Sequence, residues 1–485
     1  MKITLYGHNY TYAAEQMMLT LFPTERPGVG ENSVTLTLTK DDTWVTARAE
    51  LTYEGKPYTA LRRTGAGELT GGLQDDRVCQ KILKLAFYDA GIQALGKEPP
   101  WGALTGVRPV KIPTKALLAG ASREEAAALL TETYRVSPLR AELAVDCAEE
   151  SATAKGALRA DEVSLYVGIP FCPSRCIYCS FISAAVDKCL PLVPPFVEAL
   201  EREIAATGEA LRAAGKKVRT LYMGGGTPTT LSSEQLDRVL TALERELPLD
   251  RLTEFTVEAG RPDTIDPEKL AVLAKHRVDR VSVNPQSMDD EVLRRMGRPH
   301  AAADILRAYG QVRQAGPFAV NMDLIAGLPG DSPEGFAESL RQVMALEPEN
   351  ITVHTLALKK GSRLMEDPEA LPTDGEVEQM LNHAWAGLRS AGYAPYYLYR
   401  QKYMSGSFEN VGWAKPGYAS LYNIAMMEEL HTILALGGGA VSKFVWPETG
   451  KIERLSNPKY PQEYLRDIDK LCDQKRGLAQ LLKDL

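Results

Sequence analysis

The sequence contains no long apolar segment. No run of apolar residues approaches the ~20 that a helix needs to span a bilayer. The N-terminus, MKITLYGHNY, alternates apolar and polar side chains and lacks the apolar core of a signal peptide. Cysteine is also scarce: there are 7 in 485 residues, and an odd number spread over a long chain is not a disulfide framework. We therefore expect a cytoplasmic protein without a membrane span.

The chain also contains fewer basic than acidic residues. Lys and Arg number 56 against 63 Asp and Glu, so the formal net charge is -7. A chain with this balance is not built to neutralise a phosphate backbone, and we expect no nucleic acid as its main partner. The total does not exclude a local basic pocket, which an anionic small molecule would require.

The length is sufficient for roughly three domains. Residues 1–160 are predicted to form an N-terminal α+β extension, with strands in KITLYGH, SVTLTLT and TWVTARAEL and a helix in YTYAAEQMMLTLF. Two further helices are predicted in DDRVCQKILKLAFYDAGIQAL and REEAAALLTETY, separated by PPWGALTGVRPVKIPTK, a loop rich in Pro, Gly and basic residues. Residues 393–485 are aromatic and Gly-rich, and we expect a small C-terminal domain that closes over the mouth of the central one, 161–392.

The central segment repeats one pattern, in which short apolar runs alternate with amphipathic stretches of helical length. The apolar runs are SLYVGI, RTLYMGG, TEFTVEA, DRVSVNP, AVNMDLIAG and NITVHTLAL. Asp266 and Ser332 each precede a proline, which is typical of a helix N-cap. The repeat predicts an α/β fold with parallel strands. It fits a doubly wound sheet and a barrel equally, although a site at the strands' carboxyl ends favours the barrel.

Three cysteines lie close together directly after the first of these strands. YVGIPFCPSRCIYCSF places Cys172, Cys176 and Cys179 in C-x3-C-x2-C spacing. Thiolates suit iron–sulfur clusters or zinc, but a structural zinc site needs four protein ligands, and the remaining cysteines and histidines offer no partner pair. The spacing therefore favours a [4Fe–4S] cluster with one iron open to a ligand. Cys189, ten residues beyond, is interpreted as a small buried hydrophobe.

Other strands of the repeat end in glycine or in a polar residue. Gly224–Gly226 follow the second strand, where glycine lets the backbone approach a ligand, although a tight turn alone would explain them. Glu258, Gln286 and Asp323 end the next strands. Each alone is more often a satisfied structural group, because burying a polar side chain is costly. Their occurrence in successive strands favours a site.

The cysteine motif, with an aromatic residue before its third cysteine, resembles that of the radical S-adenosylmethionine (SAM) superfamily. The resemblance implies a radical SAM partial (β/α)6 barrel with a [4Fe–4S] cluster whose open iron is chelated by SAM. In that family one electron splits the sulfonium, and a 5′-deoxyadenosyl radical removes a substrate hydrogen. No catalytic residue is implied beyond the cluster. The SAM-binding residues implied by the resemblance are Tyr166, Tyr178, Gly225, Gly226, Thr227, Glu258, Gln286, Arg298, Asp323 and Ile325.

A narrower resemblance rests on YxxIPFCxxxCxYC, YxGGGTPTxL, VxxQSMD and NxDLIxGLPG together. These motifs are similar to those of the oxygen-independent coproporphyrinogen III oxidase family, and PWGALTGVRP, FENVGWAKPG and LGGGAVSK resemble its HemZ-like branch. The resemblance implies porphyrin and haem biosynthesis, with two propionates of coproporphyrinogen III converted to vinyl groups to give protoporphyrinogen IX. It also implies a low-potential electron donor, similar to flavodoxin or ferredoxin.

The sequence departs from the oxidase pattern at two positions. Gly168 stands where the oxidases have a histidine, and Phe181 stands where they have a fourth cysteine. Relatives with phenylalanine after the triplet include haem chaperones. The alternatives are therefore a haem-binding chaperone that retains the cluster and SAM without turnover, and a radical SAM enzyme acting on another tetrapyrrole. The sequence identifies no substrate pocket, electron acceptor or oligomeric state, and no role for residues 1–160.

Overall fold

A computed structural model divides the chain into two compact units, Met1–Val145 and Asp146–Leu485. The structure describes residues 1–179, 184–185, 189–357, 371–401, 408–446 and 449–485. Within these ranges no helix is long and apolar enough to cross a membrane.

The first unit is built on a four-stranded sheet in the order β1-β2-β3-β4. β1 and β2 are parallel and are connected through a helix, Thr11–Leu21, while β2, β3 and β4 are antiparallel neighbours. The strands are β1 Lys2–Tyr6, β2 Ser33–Lys40, β3 Trp44–Tyr53 and β4 Lys56–Gly65. Alternate residues of β3 are buried, as expected of a sheet with one face on a core. The three strands and the helix predicted from the sequence are confirmed.

Helices complete this unit. The longest, Leu73–Leu95, supplies Phe87 and Tyr88 to the core beneath the sheet. It was predicted, as was Arg123–Ala128, which continues into a π-helical turn, Leu129–Thr133. β4, the helix Lys111–Leu118 and the helix Pro138–Ala157, which runs across the boundary between the two units, were not predicted. β4 was missed because KPYTALRRTG carries three basic residues in ten and its apolar alternation is weak.

The second unit contains one eleven-stranded sheet, in the order β13-β14-β12-β11-β10-β9-β8-β5-β15-β16-β17. Its central strands are β5 Glu162–Ile169, β8 Lys217–Gly225, β9 Glu254–Glu258, β10 Arg280–Ser282, β11 Ala319–Ala326 and β12 Asn350–Thr355. They are parallel and neighbour one another in that order. These are the six predicted strands, and the α/β class is confirmed.

Helices connect these strands along the chain. They are Val193–Ala214, Ser233–Glu246, Pro267–Lys275, Asp290–Arg295, Ala302–Ala315 and Pro333–Ala345. The predicted N-caps are confirmed: Asp266 accepts a hydrogen bond from the Lys269 amide and Ser332 from the Gly335 amide. The helix Asp374–Ser390 follows β12.

The sheet does not close on itself in the described residues, and the architecture is a partial barrel. β14 Glu409–Ala414 pairs antiparallel with β12, and β13 Ala394–Arg400 lies outside it. At the other edge β15 Ile433–Gly437 pairs parallel with β5, followed by β16 Val441–Val445 and β17 Ile452–Ser456. Residues 393–485 thus contribute strands to both edges of the barrel sheet. The domain bounds given in the sequence analysis stay a prediction.

The helix Ile468–Asp484 is tied to the helix Val193–Ala214 by a buried ion pair. Lys475 and Glu203 are fully buried and lie 3.3 Å apart. The Lys475 ammonium also donates to the Ala435 carbonyl at 2.6 Å and to Asn457 Oδ1 at 3.3 Å. A buried charge is tolerated when it is paired and hydrogen-bonded in this way.

Candidate active site

The carboxyl ends of the parallel strands surround one cavity of about 370 Å³. This is the end at which barrel proteins build their sites. The cavity brings together every predicted site residue: Cys172, Cys176, Cys179, Tyr166, Tyr178, Gly225, Gly226, Thr227, Glu258, Gln286, Arg298, Asp323 and Ile325.

The cysteine loop begins where β5 ends. Cys172 belongs to a two-residue strand, β6 Phe171–Cys172, which pairs with β7 Ala184–Ala185. Cys176 is buried, and the amide of Cys179 donates to its carbonyl at 3.2 Å. Cys172 Sγ lies 3.6 Å from Thr227 Oγ1. The loop therefore holds the three thiols on one wall of the cavity.

The glycine motif lies against this loop. The amides of Gly226 and Thr227 donate to the carbonyls of Ile169 and Phe171, each at 2.7 Å. Gly225 has a φ of 110°, which favours glycine. A Cβ at Gly224 would stand 2.9 Å from the Glu258 carboxylate. Glycine here permits a close approach of backbone to backbone and backbone to carboxylate, more than an ordinary tight turn requires.

Glu258 ends β9 and faces the cavity beside Tyr222. The Tyr222 hydroxyl donates to Glu258 Oε1 at 2.6 Å. Burial raises the pKa of Glu258 to about 7, although this hydrogen bond opposes the shift. Near neutral pH the carboxyl group is therefore present in both its neutral and its charged form, and it can donate or accept a hydrogen bond.

Asp323 belongs to β11 and is held by a polar neighbourhood. Asn321 Nδ2 donates to Asp323 Oδ1 at 2.7 Å, and His354 Nε2 lies 3.7 Å from Oδ2. Burial raises the pKa of Asp323, but the interactions with its polar neighbours, His354 first, outweigh burial and the pKa lies below its usual value. Asp323 is therefore an ionised acceptor inside the cavity, in contrast to Glu258.

Gln286 is held in an uncommon backbone conformation next to Asp323. Its φ is 69°, its amide donates to the Asp323 carbonyl at 2.8 Å, and its own carbonyl accepts from the Ile325 amide at 2.9 Å. The side-chain oxygen of Gln286 is buried and has no hydrogen-bond partner among the described residues. A buried acceptor of this kind is available to a ligand in the cavity.

Arg298 reaches the cavity from the loop after the helix Asp290–Arg295. Its Nη2 donates to the Tyr178 hydroxyl at 3.1 Å and its Nη1 to the Asn284 carbonyl at 2.8 Å. Its Nε is buried and without a partner in the described chain. The guanidinium therefore adjoins the cysteine loop through Tyr178 and retains a donor for a ligand.

The sequence analysis missed a second arginine in this cavity. Arg261 follows β9, pairs with Asp263 at 3.0 Å, and directs Nη1 to within 3.9 Å of Cys176 Sγ. Arg261 therefore brings a second positive charge to the cysteine loop. The position of Arg261, three residues after Glu258 in VEAGRPD, was the signal available in the sequence.

The C-terminal segment supplies aromatic and amide groups that were also missed. Tyr166, Tyr222 and Tyr422 stack, with ring centroids 4.6 Å apart for Tyr222 and Tyr422. Further lining residues from beyond residue 393 are Tyr397, Tyr399, Gln401, Asn410, Asn423 and Met427. The sequence analysis noted the aromatic composition of this segment. The pairing of the segment's strand β14 with β12 could not be predicted from the local sequence pattern.

Three positions discussed in the sequence analysis need separate mention. A Cβ at Gly168 would stand 2.9 Å from the Gly438 carbonyl, so the close pairing of β5 and β15 excludes a side chain there. Cys189 is half-buried, so its interpretation as a buried hydrophobe was wrong. Cys189 precedes the helix Val193–Ala214 in the chain. Phe181 lies outside the described residues.

The fold and the site together define a radical SAM protein. A model of the radical SAM superfamily matches residues 166–343, which run from β5 into the helix Pro333–Ala345. The solved structure of coproporphyrinogen III oxidase (HemN) from Escherichia coli, a radical SAM enzyme, superposes with a TM-score of 0.52. That match covers 69% of this chain and 79% of the other at 23% identity, and it supports the fold alone.

The sequence relatives narrow the class. The oxygen-independent coproporphyrinogen-III oxidase-like protein HemZ of Bacillus subtilis is 43% identical over 380 residues, spanning 77% of this chain and 76% of that protein. The haem chaperone HemW of Haemophilus influenzae is 29% identical over 307 residues, covering 63% of this chain and 76% of that protein. The chain belongs to the oxygen-independent coproporphyrinogen III oxidase family of the radical SAM superfamily, in its HemZ-like branch.

The family implies a [4Fe–4S] cluster and SAM, and the residues present fit both. The described residues contain no group of three or more His, Cys, Asp or Glu placed to hold a single metal ion. A [4Fe–4S] cluster does not require three ligands around one metal ion, because each thiolate ligates a separate iron. The unsatisfied atoms Gln286 Oε1 and Arg298 Nε provide one acceptor and one donor for a polar ligand in the same cavity.

Proposed function

We propose that the barrel cavity holds a [4Fe–4S] cluster on Cys172, Cys176 and Cys179 and binds SAM beside it. The observation that carries this proposal is that the thiols, the glycine motif and the polar strand ends, separated by up to 151 positions in the sequence from Cys172 to Asp323, line one cavity. When bound, the two groups supply a radical able to abstract hydrogen. The chain itself provides the binding groups and an enclosed space that excludes water.

The polar groups of the cavity suggest how SAM is held. Arg298, beside the cysteine loop, is suited to the methionine carboxylate. Asp323 is ionised and is suited to accept hydrogen bonds from ribose hydroxyls, and the free oxygen of Gln286 can accept another. The glycine motif, packed against the cysteine loop and lining the same cavity, is suited to the methionine end of SAM.

We further propose that the substrate is coproporphyrinogen III and that the reaction is the oxidative decarboxylation of two propionates. Each propionate would lose one β-hydrogen atom, CO2 and one further electron to an acceptor, leaving a vinyl group. A low-potential donor of the flavodoxin or ferredoxin kind would supply the electron that starts each cycle. The name of the 43% identical relative supports this substrate. Such chemistry needs a reducing compartment, consistent with the cytoplasm.

Haem binding is the second candidate. The relatives named haem chaperones support it, as does the sequence, in which Phe181 stands at the position of the oxidases' fourth cysteine. Tight haem binding would need apolar walls and a few cations for the propionates. In this case the cluster and SAM would be retained while porphyrinogen turnover would be absent.

One anaerobic experiment separates these candidates. Reconstituted protein is incubated with SAM, a low-potential reductant and coproporphyrinogen III, and the products are identified by mass spectrometry. The expected product is a vinyl-bearing porphyrinogen, formed together with 5′-deoxyadenosine. Stoichiometric haem binding without turnover would favour the chaperone, and an opened tetrapyrrole would indicate a different radical SAM reaction. Asp323→Ala is the control that should lower SAM-dependent turnover with its iron retained.

A further inference from the structure

The first unit contains a cavity of its own, which the proposed function does not use. Its volume is about 500 Å³, within the range of roughly 300–1,000 Å³ that is typical of small-molecule sites. One wall is the helix Leu73–Leu95, and the opposite wall is the segment from Ala103 to Ile112. That segment belongs to the loop noted in the sequence for its Pro, Gly and basic residues.

This loop is held in place by packing and hydrogen bonds. Trp101 is 1% exposed, and Ala103, Leu104 and Val110 are buried as well. The Ala103 amide donates to the Tyr134 carbonyl at 2.8 Å. Gly102 has a φ of 52°, and a Cβ there would collide with the Tyr134 carbonyl. The loop is therefore a rigid wall of the cavity.

The charge of the cavity is strongly one-sided. Four cationic side chains line it, and the carboxylate among the lining residues belongs to Glu68, which accepts a hydrogen bond from Thr64. The whole chain has a net charge of -7, so a cluster of positive charge in one cavity is not expected from its composition. The four cations are Arg77, Lys81, Lys84 and Arg108.

Lys84 lacks an anionic partner in the described part of the chain. Its ammonium makes one long hydrogen bond, 3.4 Å, to Thr105 Oγ1 across the cavity wall. Burial lowers the pKa of Lys84, and no carboxylate opposes the shift. An ammonium group can donate three hydrogen bonds. A half-buried cation with two donors unused is costly unless an anion completes its shell.

The remaining wall suits the body of an organic molecule. Lys81 lies over the Tyr134 ring, 5.6 Å from its centroid. Apolar groups fill the space between the cations, namely Val78, Ile82, Leu85, Leu104, Pro109 and Ile112. A cavity with convergent cations and apolar walls binds small anions with an organic body better than it binds an extended polymer.

We propose that this cavity is a binding site for a small organic anion whose phosphate or carboxylate group lies against Lys84 and Thr105. Arg77 and Arg108 at the same cavity complete the cationic surround, and the apolar wall contacts the body of the ligand. Phosphate and carboxylate share the chemistry that the site requires, which is multiple anionic oxygens facing ammonium and guanidinium donors.

The test measures binding of defined anions to the full-length protein by isothermal titration calorimetry. Pyrophosphate and ATP represent phosphate ligands, and citrate and coproporphyrin III represent carboxylate ligands. Lys84→Met is compared with Lys115→Met, which removes an exposed lysine that does not line the cavity. Losing a charge-assisted hydrogen bond should weaken binding about 10- to 100-fold in Lys84→Met, and the Lys115→Met affinity should equal wild type.

The outcomes are decisive in both directions. Binding of either anion class that Lys84→Met weakens establishes the site, and the stronger class identifies the ligand chemistry. Equal affinity in wild type and Lys84→Met overturns the proposal, as does the absence of binding by all four probes at millimolar concentration. If a short single-stranded RNA binds in a Lys84-dependent manner and the small anions do not, the small-molecule assignment is wrong. None of these readouts depends on the cluster.

Discussion

Two lysines, Lys475 fully buried in the barrel unit and Lys84 half-buried in the first unit, differ in what surrounds them. Lys475 in the barrel unit meets Glu203, the Ala435 carbonyl and Asn457, all supplied by the protein. Among the described residues, the Lys84 ammonium in the first unit has one hydrogen-bond partner, Thr105, at 3.4 Å. The first lysine has a complete shell and is structural. The second leaves donors facing a cavity, which indicates a ligand.

The two cavities repeat this contrast. The barrel cavity contains both signs of charge, with Glu258 and Asp323 as well as Arg261 and Arg298. The first unit's cavity contains four cations and a single carboxylate. A cavity with both signs suits a zwitterionic ligand such as SAM, whereas a one-sided cavity suits an anion. The predictions below test two statements. The buried charges of the barrel unit are satisfied by groups of the protein itself, whereas the cations of the first unit's cavity are satisfied by a ligand.

The largest effect is expected at the cysteine loop. Replacing Cys172, Cys176 or Cys179 singly by Ala should abolish cluster binding, because each thiolate is proposed to ligate a different iron. Wild type should hold about four irons after anaerobic reconstitution, measured with acid-labile sulfide and the visible absorption band. Cys189→Ala is the matched control and should retain its iron. A full cluster in any of the three single variants would show that the ligand set is wrong.

The barrel was predictable because its signals are local. Parallel strands buried on both faces are apolar runs, so β5 and β8–β12 were recognisable one by one. Their carboxyl ends meet at one edge, and this brought Glu258, Gln286 and Asp323 into one cavity as expected. The order of the strands along the chain was therefore enough to predict that these three residues lie close together.

The missed features depend on contacts between distant segments. Tyr397 and Asn410 reach the barrel cavity because β14 adds to β12 in antiparallel sense and β13 adds outside it. The first unit's cavity exists because Trp101 and Gly102 fix a loop against Tyr134, which no local periodicity reports. The basic residues of the loop were visible in the sequence, but their convergence with the basic residues of the helix Leu73–Leu95 on one cavity was not.

The second largest effect is expected at the buried ion pair. Lys475→Met removes the only counter-charge described for Glu203 and should lower the free energy of unfolding by about 3–5 kcal/mol. The double variant Lys475→Met/Glu203→Gln should recover part of this loss, because no uncompensated charge is then buried. Urea unfolding of the three proteins measures the effect. A loss below about 1 kcal/mol in Lys475→Met would contradict the structural role of this lysine.

The pH dependence of stability tests the environment of Glu258. An unfolded glutamate titrates near ~4.3, whereas Glu258 in the folded chain titrates at about 7. Between these values the folded state keeps a proton that the unfolded state has released, so the free energy of unfolding falls as the pH rises through this window. The fall is at most about 4 kcal/mol. Glu258→Gln, fixed in the neutral form, should show less decline in urea midpoint from pH 5 to pH 8, and parallel profiles would contradict the shift.

A smaller effect is expected for SAM affinity. Asp323→Ala removes a buried acceptor and should weaken SAM binding by about 1–3 kcal/mol, or roughly 5- to 150-fold, with the iron content unchanged. Equilibrium dialysis with labelled SAM measures the affinity. Asp250→Ala, at an exposed surface ion pair with Lys217, is the control and should bind as wild type does. If alanine at Glu258, Gln286 and Asp323 leaves SAM affinity unaltered in each case, the SAM site has been misplaced.

The smallest effect is expected at Lys84, a lysine of the first unit's cavity. Lys84→Met should leave the free energy of unfolding unchanged or raise it by up to about 1 kcal/mol, because methionine removes a desolvated charge and keeps most of the side-chain volume. Lys56→Met, at an exposed position of β4, is the reference for losing a lysine from this unit. Ligand-free protein is compared by urea unfolding. A loss above about 1 kcal/mol relative to Lys56→Met would place Lys84 with Lys475 as a structural cation and would remove the distinction between the two units. Stability that is unchanged without ligand, together with loss of anion binding, would mean that this lysine is held partly desolvated for a ligand and not for the fold.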